Sequence, residues 1–194
     1  MLGDAHLELA KNGKSARLKI EQSKEKKLYV EHLRSIFHNW TPGEIHLVVH
    51  QLGENWAFST TYSRSLLEYQ QRFYKDKKRS IPQEIDNGFT ALSFAYLYMD
   101  DGGVKSKESK GVFINTYSLI QDEQEFFCHF LFKKFHLKAK VVQDSKIYKG
   151  ERRFYPRIYI SGDSYDVLVA LLKPYVLPMF SYKIPPPRSK KSFF

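Results

Sequence analysis

The sequence predicts an α+β fold in which one structural unit is used twice. Three observations carry this. Residues 91–103 form an apolar and aromatic run that ends on Asp100, Asp101, Gly102 and Gly103. After that acidic end comes a hairpin, then a helix, two strand-like runs and a further helix. The same order follows Asp4 near the N-terminus. Asp4 and Asp101 stand 97 residues apart, which sets the period. A two-unit repeat implies a pseudo-dimer with its site on a pseudo-twofold axis, where Asp4 and Asp101 would meet.

In the first half, Asn12-Gly13 is a strong hairpin signal. It separates residues 7–11 from 16–22. The second arm alternates, with Leu18 and Ile20 on one face and Arg17, Lys19 and Glu21 on the other, as a half-buried strand does. An amphipathic helix with Leu28, Val30, Leu33 and Phe37 follows. Strand-like runs cover 45–49 and 55–61, and a helix covers 66–74 before a basic turn and Ile81-Pro82.

The second half opens on the helix within 91–103, stopped by Gly102-Gly103. It is apolar nearly all round, so it should be buried. Carboxylates at a helix C-terminus oppose the macrodipole. A buried helix of this kind needs a counter-charge, and a bound divalent cation would supply one. An ordinary core helix ending in a solvated acidic turn is the open alternative. A Gly/Lys-rich turn leads to a strand in 111–117. A helix with Phe126, Phe127, Phe130, Leu131 and Phe135 comes next, then strands at 139–142 and 154–160 and a helix at 165–176. Pro185-Pro186-Pro187 opens a basic tail, residues 185–194, expected to be disordered.

The chain has 194 residues, 42% of them hydrophobic, and a formal net charge of +10. This excess is spread over several Lys/Arg clusters and favours a polyanionic partner across an extended surface. The single cysteine, Cys128, lies in an apolar stretch and reads as a core residue, which excludes a disulfide framework. No secretory signal and no apolar run of membrane-spanning length is visible, so a soluble intracellular protein is expected. His46 and His50 have the spacing of a helical zinc pair, but their segment reads as strand and no third ligand is apparent.

The pattern resembles the two-motif LAGLIDADG homing endonucleases and intron-encoded maturases of organelles. Phe94-Ala95-Tyr96-Leu97-Tyr98-Met99-Asp100-Asp101-Gly102 is similar to the second copy of the nine-residue motif. Met1-Leu2-Gly3-Asp4-Ala5 is similar to the last five positions of the first. Ala16 to Ser23 and Ile114-Asn115-Thr116-Tyr117-Ser118 sit where that family has strand ends, and Phe73-Tyr74 with Lys78 and Ile81-Pro82 resembles its approach to the second motif.

The resemblance implies αββαββα units, residues 1–80 and 88–184, each with a four-stranded antiparallel saddle-shaped sheet, and motif helices packed at the interface. It implies metal-dependent cleavage of both strands of a DNA site. Asp4 and Asp101 would be catalytic and hold Mg2+ (or Mn2+), with the backbone carbonyls of Ala5 and Gly102 as further ligands. Gln22 would assist at the first site and Tyr117 at the second, although a one-residue slip puts Thr116 there instead. Arg17, Lys19, Glu21, Lys140, Arg153 and Arg157 would contact nucleic acid in the major groove.

The expected partner is double-stranded DNA, with the host intron RNA as a second possibility. The expected assembly is a monomer with no membrane association, located in a mitochondrion or alternatively a chloroplast. Three departures stand out. Motif one lacks its opening half, so the first motif helix is expected to be short. No lysine follows the last strand of the second half, where Ser161-Gly162-Asp163-Ser164 stands, and Arg64 holds a loosely similar loop in the first. Ala5 replaces the usual motif glycine. An RNA maturase and an inactive DNA-binding remnant are the alternative functions. The paired acids favour the endonuclease.

Overall fold

The computed structural model describes residues 2–51 and 53–187. The chain forms two compact units, Met1–Ser80 and Ile81–Phe194. Each is built on a four-stranded antiparallel sheet, as an α+β repeat requires.

In the first unit, β1 (His6–Leu9) and β2 (Ala16–Ser23) form the hairpin around Asn12-Gly13. Gly13 has φ +67°, a conformation that costs glycine little. Helix α1 (Lys27–Ile36) precedes β3 (His46–His50) and β4 (Gly53–Ser59), and the sheet order is β1-β2-β4-β3. Strand β2 alternates from its first residue. Ala16, Leu18, Ile20 and Gln22 are buried beside the helices, and Arg17, Lys19 and Glu21 lie on the opposite, open face. Tyr29, Val30 and Leu33 of α1 and Phe58 of β4 complete this core. Helix α2 (Arg64–Phe73) follows, N-capped by the Ser63 side chain, which accepts from the Ser65 N–H. It runs into a short hairpin, β5 (Tyr74–Lys75) and β6 (Lys78–Arg79).

In the second unit, α3 (Ala91–Asp101) is capped by Thr90, whose hydroxyl accepts from the Ser93 N–H. Strands β7 (Gly102–Val104) and β8 (Val112–Ile114) follow, then α4 (Gln121–Phe135). Strands β9 (Ala139–Tyr148) and β10 (Glu151–Ile160) form a long hairpin. The order β7-β8-β10-β9 repeats that of the first sheet. Helix α5 (Tyr165–Leu172) packs on α3, and a 3-10 segment, Pro178–Lys183, ends the described fold. Val112, Ile114, Ile158, Ile160, Phe127, Leu131 and Leu168 form the core.

The structure corrects several expectations. Leu28 is 69% exposed, and the neighbouring Tyr29 is fully buried in its place, because α1 begins at Lys27 and its phase turns Leu28 outward. Residues 2–5 form a bend and no helix. The pair Gly102-Gly103 does not stop α3 through a left-handed cap. Gly102 is extended (φ −79°, ψ 156°) and starts β7. Its glycine is required for another reason: a Cβ there would lie 2.3 Å from the Tyr98 ring. Strands β9 and β10 extend well past 139–142 and 154–160, through residues exposed on both faces. Cys128 is buried as expected, and burial pushes its thiol up to about 12. Among the described residues no helix is long and apolar enough to cross a membrane. Of the basic tail, residues 188–194 lie outside the described residues.

Candidate active site and nucleic-acid interface

In the first unit a short polar chain ends on Asp4. The buried Gln22 closes the core face of β2, and its Nε2 donates to Asp4 Oδ2 at 2.8 Å. Lys26 Nζ donates to Gln22 Oε1 at 2.8 Å. An ammonium can only donate, so Lys26 fixes the amide with its oxygen toward the ammonium and its nitrogen toward Asp4. The carboxylate is thereby oriented without losing its capacity to accept elsewhere.

Arg79 was not singled out by the sequence. Its guanidinium donates from Nη1 to the carbonyls of Leu2 (3.2 Å) and Gly3 (2.5 Å), and from Nη2 to that of Ala5 (3.0 Å). The Ala5 carbonyl, expected as a metal ligand, is therefore also a hydrogen-bond acceptor for Arg79. Tyr74 Oη accepts the Leu7 N–H at 3.2 Å and meets His6 Nδ1 at 3.1 Å. Burial and then Arg79 hold the His6 imidazole below its ordinary pKa.

In the second unit every last-turn carbonyl of α3 is satisfied. Tyr98 O accepts from the Gly102 N–H, and Asp101 O accepts from the Asn115 N–H at 2.9 Å. Met99 O and Asp100 O accept from Lys183 Nζ at 2.5 and 3.1 Å. Lys183 is only 9% exposed, so it is the counter-charge that the acidic helix end requires.

The register aligns Thr116, and not Tyr117, with Gln22. Lys19 pairs His6, two residues after Asp4. Phe113 pairs Gly103, two residues after Asp101. Gln22 is three residues beyond Lys19, and Thr116 three beyond Phe113. Thr116 is also buried, like Gln22, and among the described residues its Oγ1 has no protein partner. The Tyr117 hydroxyl instead donates to Asp144 Oδ2 at 2.6 Å. Tyr117 belongs to a cluster in which Arg157 Nη2 stands 3.3 Å from Asp144 Oδ1 and Lys146 Nζ lies 4.2 Å from the Tyr117 ring centre. The hydrogen bond from Tyr117 and then Arg157 hold the Asp144 carboxyl below its ordinary range, against its desolvation.

The six residues expected to contact nucleic acid all fall on the open faces of their sheets. Arg17, Lys19 and Glu21 alternate with the buried positions of β2. Arg17 pairs with Glu8 and lies over the Tyr62 ring at 4.9 Å, and Lys19 also reaches Glu8, at 3.5 Å. Glu21 accepts from Asn55 Nδ2 and meets His50 Nε2, which pull its carboxyl down. In the second unit, Lys140 faces Tyr159 across β9 and β10, and Arg153 and Arg157 continue the same face. Arg153 lies over the Tyr148 ring and Arg157 over that of Phe113. Two further cations share this face. Lys146 pairs opposite Arg153, and Lys105 lies over the Tyr159 ring. Alternation along a longer β9 would have found Lys146. Lys105 belongs to the basic cluster Lys105-Lys107-Lys110, but nothing in the sequence placed it on this face. The first face balances its cations with Glu8 and Glu21. The second carries a cationic excess.

Among the described residues, no group of three or more His, Cys, Asp or Glu could hold a metal ion. In the first unit the Asp4 carboxylate and the Ala5 carbonyl are adjacent oxygen donors. That suits a hard cation which keeps water and takes phosphate oxygens as its remaining ligands, as Mg2+ does.

Known proteins show the same organisation. The chain is 27% identical over 194 residues to probable intron-encoded endonuclease 1 of Wickerhamomyces canadensis, covering 95% of this chain and 80% of that protein. It is 27% identical over 198 residues to the cytochrome b mRNA maturase bI2 of Saccharomyces cerevisiae, where it spans 95% of itself and only 45% of the relative. Its structure is similar to that of the homing endonuclease I-WcaI bound to its DNA recognition sequence, with a TM-score of 0.78 and 27% identity, covering 94% of this chain and 81% of that one. The LAGLIDADG DNA endonuclease family matches residues 1–168, and the chain belongs to it.

Proposed function

We propose that the chain is a site-specific double-strand DNA endonuclease of the intron-homing type. It hydrolyses one phosphodiester in each strand, using a divalent cation and one acid from each of its two halves, residues 1–80 and 88–184. The observation that carries this reading is the Lys26–Gln22–Asp4 chain at the end of β2, which follows Arg17, Lys19 and Glu21 on the same strand. One strand thus offers base-reading side chains and an oriented acid next to each other.

Asp4 and Asp101 would hold Mg2+ or Mn2+, with carbonyl help from Ala5 and Gly102. When bound, the cation lowers the pKa of water and neutralises phosphate charge. The protein's own part is orientation. Gln22 aims the Asp4 carboxylate, and Lys26 aims Gln22. Strand register favours Thr116 over Tyr117 for the corresponding place in the second half. The DNA-bound state of I-WcaI supports duplex DNA as the partner, and the basic open face of the second sheet supports phosphate contact there. The names of the yeast relatives support an organellar origin, with a mitochondrion favoured over a chloroplast. With both halves on one chain, the protein acts as a monomer.

A second reading, an RNA maturase for the host intron, is supported by the name of the Saccharomyces cerevisiae relative. One experiment separates them. The chain is incubated with a duplex carrying the uninterrupted exon junction, and separately with the intron transcript, in Mg2+ or EDTA. Linear duplex product in Mg2+ only is the expected result. Accelerated splicing with intact duplex would replace the endonuclease by the maturase.

A further inference from the structure

We propose that Arg79 and Lys183 are matched positioning residues, each a cation that clamps the backbone carbonyls of the acid-bearing turn in its own unit. The inference rests on the reading of Asp4 and Asp101 as the acids of the reaction.

The correspondence is by position as well as by kind. At the 97-residue offset that relates Asp4 to Asp101, Leu2 matches Met99 and Gly3 matches Asp100. Arg79 donates to the Leu2 and Gly3 carbonyls, and Lys183 donates to those of Met99 and Asp100. The same two carbonyls ahead of each acid are therefore held by a cation. The routes by which the cations arrive differ. Arg79 comes from the β5–β6 hairpin after α2. The turn of that hairpin puts Asp76 at φ +48° and Lys77 at φ +63°, a conformation that is costly for lysine. Lys183 comes from the 3-10 segment after α5. That segment is tied to α3 by two more bonds: Tyr98 Oη donates to Lys183 O at 2.7 Å, and Met99 Sδ accepts from the Leu177 N–H at 3.4 Å. Two unlike local structures delivering the same charge to matching carbonyls is more than a repeat of secondary structure would produce.

The physics favours this role. The last carbonyls of α3 carry partial negative charge and lack intrahelical donors, and an acid placed next to them is repelled. Lys183 on those carbonyls cancels the dipole end and fixes the turn. Residues 3 and 4 form a bend with no helix dipole, so there Arg79 acts by tying three carbonyls of an irregular segment to one guanidinium. In both units the carboxylate is presented in one orientation. Preorganisation of this kind sets rate more than affinity.

Arg79→Met and Lys183→Met test the clamp, with Arg79→Lys and Lys183→Arg as conservative partners. Supercoiled target plasmid, and a linear target duplex end-labelled on either strand, are cut in Mg2+, and hydrogen exchange is followed on the same proteins. Lys183→Met is expected to slow cleavage of one strand by about tenfold to a hundredfold, the size of other losses of supporting partners. It should leave nicked circle, an unchanged Kd for the target, and faster exchange confined to residues 98–104. Arg79→Met is expected to slow the opposite strand, with faster exchange in residues 2–9. Lys183→Arg should restore most of the loss, and Arg79→Lys only part, since one ammonium cannot span the carbonyls that the guanidinium fork reaches. Equal slowing of both strands, or exchange that is unchanged or raised throughout the chain, would overturn the clamp. If the unsubstituted protein does not cut at all, the endonuclease reading fails, and local exchange alone then decides whether the cations hold their turns.

Discussion

At the scale of single residues, the site depends on groups that orient other groups. Gln22 is buried and donates to Asp4 while accepting from Lys26, so its amide has one usable orientation. Gln22→Ala is expected to lower kcat by about tenfold to a hundredfold with little change in DNA affinity. Steady-state cleavage rates and a binding titration read the two separately. Gly102 is fixed by packing. Gly102→Ala would push a methyl into the Tyr98 ring, and because Tyr98 is fully buried the ring has nowhere to go. The expected cost is about 1–3 kcal/mol in denaturant unfolding. Asp4 and Asp101 can be proposed from sequence because each ends a copy of a short motif, and Gln22 because it ends an alternating strand; the Gln22–Asp4 contact is what the structure adds. Arg79 and Lys183 cannot. Their carbonyl partners lie more than 70 residues away in the chain, and a cation that reaches backbone carbonyls leaves no pattern in the sequence it binds. Thr116 and Tyr117 could be separated only by strand register, which depends on β7 and β8 pairing.

At the scale of elements, alternation was readable wherever one face is buried. Strand β2 shows it over its whole length, and its boundaries follow the sequence closely. The outer half of the β9–β10 hairpin is exposed on both faces, with Ile147 73% and Phe154 65% exposed, so no periodic signal marks it. That hairpin is held by cross-strand chemistry in place of a core. Tyr117, Asp144 and Arg157 form its inner polar link. Because the Asp144 carboxyl sits below its ordinary value, its contribution is present above the ordinary carboxylate range and is lost as pH falls through the lowered folded value. Asp144→Asn should therefore be less stable than the unsubstituted chain near neutrality, and the difference should shrink in acid below about pH 4. Thermal unfolding at a series of pH values checks this, and a constant difference down to the most acid point would show that the carboxylate is not the stabilising species.

At the scale of the whole molecule, charge and repeat define what the chain can bind and do. The chain carries a net charge of +10, and on the open face of the second sheet Lys140, Lys146, Arg153 and Arg157 outnumber Asp144 and Glu151. Binding should weaken steeply with salt. Replacing Lys140 and Arg153 together by glutamine should flatten the log–log salt dependence by about 0.9 for each phosphate no longer neutralised. Binding isotherms over a range of salt concentrations measure it, and an unchanged slope would remove those two residues from the interface. The repeat itself was legible from the order of signals after each acid, since the two sheets share one strand order. The paired-acid mechanism is decided by cleavage of the target duplex by the unsubstituted chain, Asp4→Asn and Asp101→Asn, with Mg2+ and with EDTA. Double-strand cuts in Mg2+ should disappear in both variants while DNA binding persists. Tight binding by the unsubstituted chain with no cut in Mg2+, or full cutting by either variant, would show that the two acids do not work as a catalytic pair.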